Sequence, residues 1–152
     1  MNGVKHGTVA VVLICLAGSI WLGGTLGSSV DGGKSTVVFN ITSGKEDLQA
    51  VTMALQLAGH ALDDGREVVL FLNVRAPEFA ARQFPDKIAF RTNPPTKTMF
   101  ADLTKRGARV LVCPHCVEAL GMTAANLAEG MHLASRETLF GSLGPNSVVF
   151  TY

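Results

Sequence analysis

The sequence is nearly neutral: 13 Lys and Arg against 12 Asp and Glu leave +1 over 152 residues. Without a basic face or an aromatic binding motif, that balance excludes nucleic acid as a partner. A phosphate-binding loop is also missing. Thr42-Ser43-Gly44-Lys45 lacks the spacing of a Walker A sequence, and Lys45 reads as first-turn surface. Cysteine is scarce, with Cys15, Cys113 and Cys116 as the whole complement and no second Cys-x-x-Cys. A zinc or copper site needs three or four ligands, and Cys113 and Cys116 supply two. On a helix His115 points elsewhere, His60 falls inside a helical pattern, and His132 sits between Met131 and Leu133. No metal and no cofactor is expected.

Apolar residues, by contrast, are abundant at 47%, and the excess sits at the N-terminus. From Thr8 to Leu26 no residue is charged, and Lys5 precedes the run. A helix of that length, rising ~1.5 Å per residue, just crosses a ~30 Å hydrocarbon layer. Lys5 favours a cytoplasmic N-terminus and an exported remainder. Residues 1–27 are read either as an uncleaved signal-anchor or as a secretory signal cleaved near Thr25-Leu26-Gly27-Ser28. A lipoprotein signal is set aside because Ile14, not a small residue, precedes Cys15. The first reading gives a membrane-anchored protein with its domain on the periplasmic or extracytoplasmic side, the second a protein secreted to the periplasm. In both, Cys113 and Cys116 meet an oxidising compartment. Residues 28–35, SSVDGGKS, form a flexible tether to a domain over 36–152.

That domain alternates two kinds of segment. Short apolar runs at 37–41, 68–72, 110–113 and 148–150 read as strands buried on both faces. Leu48, Val51, Leu55, Ala58 and Leu62 recur at spacings of three and four, which predicts a helix. Ser43 with Glu46 resembles a capping box before it, and Gly65 supplies a stop. A second helix is predicted over 96–106, with shorter helical pieces at 114–120, 124–129 and 136–142. Strands separated by helices imply an α/β fold with a mainly parallel sheet. In such sheets ligands bind beyond the carboxyl ends of the strands. Three loops there carry the candidates: Thr42–Lys45, the long segment from Asn73 to Pro95, and Cys113-Pro114-His115-Cys116.

The last of these carries the most chemistry. Cys113 closes a strand and Pro114 suits the first turn of a helix, so the thiol is expected near unpaired backbone N–H groups that favour its anion. Cys116, one turn on, is placed to resolve whatever forms on Cys113, and His115 adds positive charge when protonated. The long loop brings Arg75, Arg82, Lys87, Arg91 and Lys97 against Glu78 and Asp86, cations suited to attracting a sulfur oxyanion, a polysulfide or an acidic partner. Asn73 and Arg75, nearest the strand end, are the supporting candidates. Phe79, Phe84 and Phe90 imply that the loop folds against its own domain or a neighbour.

Cys-Pro-His-Cys resembles the active site of DsbA-like thiol oxidases over four residues. Only 36 residues follow Cys116, and Pro145 is the sole later proline, so thioredoxin topology is not expected. A wider resemblance runs through DLQAVTMALQLAGHALDDGREVVLFLNV, KRGARVLVCPHCVEALGM, NLAEGMHLAS and the terminal apolar strand. These segments resemble the DsrE/DsrF-like family. The resemblance implies a parallel α/β fold, homo- or hetero-oligomers, and sulfur transfer in which the persulfide-bearing cysteine corresponds to Cys113. Cys116 and the predicted export are departures from the minimal carrier pattern.

Three functions follow as expectations. In the first, Cys113 accepts sulfane sulfur from a donor protein or small sulfur compound and Cys116 resolves it, as a sulfur carrier or sulfurtransferase would. The second is a dithiol oxidoreductase acting on protein thiols. The third is a non-catalytic subunit of a membrane assembly.

Overall fold

The computed structural model describes residues 35–152, together with Gly3. The predicted membrane segment at 8–26 and its linker up to Lys34 lie outside the described residues. Among the described residues no helix is long and apolar enough to cross a membrane.

Five strands form one fully parallel sheet in the order β4-β3-β2-β1-β5. They are β1 (Thr36–Ile41), β2 (Glu67–Leu72), β3 (Arg109–Val112), β4 (Met131–Leu133) and β5 (Val148–Thr151). Between them run α1 (Leu48–Asp63), α2 (Thr96–Lys105), α3 (Pro114–Ala119) and α4 (Arg136–Phe140). The chain steps from β1 to β4 in one direction, so its right-handed crossovers lay α1, α2 and α3 on one face. The return to β5 runs the other way and carries α4 across the opposite face, where Leu139 packs near Val38, Val69 and Leu111.

Alternation along the strands divides the side chains between these faces. Phe39, Ile41, Leu70, Leu72, Val110 and Val112 point into the main core under α1 and α2, each almost wholly buried. Side chains of that size stabilise by about 1.5–3 kcal/mol apiece when fully buried. The opposite face is thinly covered. Val149 and Phe140 stay more than half exposed there, and Val148 and Phe150 are nearly so on the edge strand.

Two expectations are corrected. The segment expected as a helix at 124–129 holds only a 3₁₀ turn, Ala124–Asn126, after which β4 pairs with β3. Three residues containing His132 are too short and too polar to read as a strand, and pairing with Val110–Val112 supplies what the local pattern lacks. The Ser43–Glu46 capping box does not form. A 3₁₀ turn, Lys45–Asp47, comes first, and the Asp47 carboxylate caps α1 by accepting from Ala50 N–H at 3.0 Å. The stop at Gly65 forms as expected: its φ of 72° closes α1 with Arg66 N–H donating to Ala61 O at 3.0 Å.

Candidate functional site

Parallel strands bring the loops after β1, β2 and β3 to one rim. Cys113 leaves β3 as the residue preceding α3, with its N–H donating to Leu72 O at 2.8 Å and its carbonyl accepting from Val117 N–H at 3.0 Å. These bonds fix its backbone between β2 and the first turn of α3. Pro114 begins that helix, where its missing N–H costs nothing. Val117, 1% exposed, anchors the helix in the core and so holds Cys116 beside Cys113.

Both cysteines are free thiols, half-buried, with sulfurs 2.9 Å apart and Cys116 donating to Cys113. No backbone N–H of α3 caps the Cys113 side chain. The donor that reaches its sulfur is the neighbouring thiol. Burial pushes the Cys116 thiol above its ordinary value of 9.0, and the hydrogen bond and negative charge of Cys113 push the same way. The Val74 N–H, 3.2 Å from the Cys116 sulfur, opposes them. The pair is therefore asymmetric: Cys116 is held to its proton and directs it at the Cys113 sulfur.

Val74 was not legible in the sequence. Its φ of 55° is a conformation that a β-branched residue adopts only under constraint, at a cost of about 1–3 kcal/mol. The constraint comes from both neighbours, since Asn73 N–H donates to Ile41 O at 3.0 Å and Arg75 N–H to Thr42 O at 3.2 Å. The result aims the Val74 N–H at Cys116.

The supporting candidates divide. The Asn73 side chain donates to Asn40 Oδ1, and Asn40 Nδ2 donates to Thr151 Oγ1 at 3.3 Å, a polar row that ties β2, β1 and β5 together. Asn40, a polar residue within VVFNI, was the sequence signal for it. Arg75 pairs with Glu46 at 3.1 Å and bridges the first two loops, while Glu78 accepts from Lys45 N–H at 2.5 Å. Lys97 is a clamp: it meets Asp86 at 2.6 Å and the carbonyls of Arg82 and Phe84 at 3.2 and 3.3 Å. His115 is exposed on α3. His60 lines a groove between α1 and α2 that holds neither cysteine and whose Arg106 is held by Asp63 at 2.6 Å. Among the described residues no three His, Cys, Asp or Glu side chains gather in metal-binding array.

The Gly44 N–H, which donates to its side chain at 3.0 Å, its own backbone N–H and Arg75 all hold the Glu46 carboxyl below its usual 4.5. A depressed acid contributes stability above its unfolded value and loses it as pH falls through the folded one. Glu46 and Arg75 are 43% and 67% exposed, so the pair is worth well under ~1 kcal/mol. Thermal melts below pH 4.5 should therefore show a small acid loss that Glu46→Gln diminishes.

A scan against protein families matches residues 35–145 to the DsrE/DsrF-like family. The chain belongs to that family. Its members are sulfur-relay proteins that often form oligomers. Among solved structures, it is similar to the protein of unknown function MTH1491 from Methanobacterium thermoautotrophicum, at 17% identity and a TM-score of 0.59 over 78% of this chain and 100% of that one. It is also similar to the ychN protein from E. coli, at 17% identity and a TM-score of 0.58 over 79% of this chain and 100% of that one. At these identities the likeness is one of fold. A search of curated proteins gives no match. This DsrE-like chain carries Cys113 and Cys116 where open α/β sheets bind ligands, at the carboxyl ends of the strands.

Proposed function

We propose that this DsrE-like protein handles sulfane sulfur, with Cys113 as the nucleophile that takes it up as a persulfide and Cys116 as the thiol that acts on the product. The observation that carries this reading is the asymmetric pair at the rim. Cys113 is half-buried, open to a donor, and hydrogen-bonded by a neighbour whose own proton is retained. Thiolates, not thiols, attack sulfur, so the asymmetry selects the attacking atom.

Neighbouring sulfurs 2.9 Å apart also favour a second reading, a dithiol oxidoreductase acting on protein thiols. The uncharged run at 8–26 supports a membrane tether with the domain on the extracytoplasmic side. The exposed apolar residues of β5 and α4 support assembly with further subunits, of this chain or another.

Intact mass after incubation with polysulfide tests the first reading. Cys116→Ser should gain about 32 Da, one sulfur atom, and Cys113→Ser should not. Unmodified Cys116→Ser, or equal gain in both variants, would reject it. Turnover of a reduced protein substrate by wild type without any sulfur adduct on Cys116→Ser would select the oxidoreductase.

A further inference from the structure

Resting on the persulfide reading, we infer that the protein discharges its own sulfur: Cys116 displaces the sulfane sulfur from Cys113 as hydrosulfide and leaves an intramolecular disulfide, which makes the chain a sulfane-sulfur reductase rather than a lasting carrier.

Geometry leads to this. A sulfur–sulfur bond is about 2.05 Å long, so sulfurs 2.9 Å apart need to close by only roughly 1 Å. Cys116 is held close to Cys113, because it lies on the same turn as the core anchor Val117 and its sulfur accepts from Val74 N–H of the neighbouring loop. A persulfide on Cys113 is thus formed against a thiol already in contact. An external acceptor must arrive by diffusion, whereas a group held in place reacts as though present at very high concentration.

The steps balance. The Cys113 thiolate attacks the outer sulfur of an alkyl persulfide, forming Cys113–S–S⁻ and releasing the donor as its thiol with the persulfide proton. The Cys116 sulfur then bonds to Cys113 Sγ as the Cys113–sulfane bond breaks. The Cys116 proton passes through solvent to the outer sulfur, so that Cys116 attacks as its thiolate and the sulfane sulfur leaves as HS⁻. The two cysteines are oxidised to a disulfide and the sulfane sulfur is reduced to sulfide. In-line displacement requires the sulfane sulfur to stand on the side of Cys113 opposite Cys116. One turnover needs no further reactant; resetting the pair needs an external dithiol reductant.

The test uses the full chain, reduced and freed of reductant, with one equivalent of cysteine persulfide; released sulfide is trapped with a bimane and protein mass is measured. Wild type is expected to release about one equivalent of sulfide and become about 2 Da lighter, while Cys116→Ser keeps about 32 Da and releases less than about a tenth as much. Wild type that retains the added sulfur without releasing sulfide overturns the inference and leaves the persulfide reading standing. A Cys116→Ser protein that carries the donor as a mixed disulfide also overturns the inference, since the sulfide then came from the donor. A Cys116→Ser protein with no adduct overturns the persulfide reading itself. Cys116→Ala, run in parallel, separates loss of the thiol from any hydrogen bond made by serine.

Discussion

Cys113→Ala is expected to slow alkylation of the Cys113–Cys116 segment by iodoacetamide at pH 7, while Cys116→Ala keeps the faster reaction. The alkylating agent consumes thiolate, and a thiol whose value exceeds 9.0 is less than about 1% ionised at pH 7. Cys116 is such a thiol, for three reasons that reinforce one another: burial, its hydrogen bond to Cys113, and the charge on Cys113. Removing Cys113 deletes the last two and leaves Val74 N–H unopposed by them. The slow reaction remaining in Cys113→Ala should therefore titrate at lower pH than Cys116 does in the wild type. Stability follows the same sign. A raised value means that the fold favours the protonated thiol, so this contribution is complete below the ordinary value and is lost as pH rises through the raised one. Alkaline unfolding of the wild type should begin earlier than that of Cys116→Ala. Equal alkylation rates in the two single variants would contradict the asymmetry on which the persulfide reading rests.

The asymmetry also bears on what a second cysteine does beside a sulfur-carrying one in the proposed reading. A carrier needs one exposed nucleophile and no rival within reach. Here the rival is in contact, and Val74 holds it there at the expense of a strained backbone. The polar row Asn73–Asn40–Thr151 ties the β2 loop to β1 and β5, so the strained residue stands on a braced segment.

How much of this was legible follows from which forces are local. Buried parallel strands announce themselves as unbroken runs such as VVFNI and VVLFL, because both their faces are covered. Helix α1 shows its stripe because only one side of it is buried. The Cys113–Cys116 placement was readable from a strand followed by proline. Four things were not. The β4 strand depends on a partner distant in sequence, and His132 hides it. Strand order depends on crossovers that leave no local mark. Val74 looks like any strand-end residue, and its left-handed backbone is imposed by hydrogen bonds to β1 and to the loop after it. The cations of the long loop look free in the sequence, yet Arg75 and Lys97 are paired with Glu46 and Asp86 across distances that sequence does not report.

Phe79→Ala is expected to be strongly destabilising, and it tests whether the long loop is part of the core or a mere covering. Phe79 lies in the 3₁₀ turn Ala76–Ala80, is 1% exposed, and meets Phe84 edge-on at 4.9 Å and Phe100 of α2 at 6.0 Å. Truncating a buried phenylalanine costs about 3–5 kcal/mol, from lost transfer energy and the cavity left behind. Small domains have only about 5–15 kcal/mol in total, so the urea midpoint should fall by about a fifth or more of its value. Met53→Ala, on the exposed side of α1, should cost about 0.5 kcal/mol or less and leave the midpoint nearly in place. The same change should reach the site, since the turn anchored by Phe79 begins two residues after Val74. With that anchor gone, the Val74 N–H loses its aim, and Cys116 loses the one interaction that favours its thiolate. At a urea concentration where the variant is still folded, its alkaline alkylation step should move to higher pH than in the wild type. A large loss of stability with that step unmoved would mean that the 3₁₀ turn supports the core and not the dithiol.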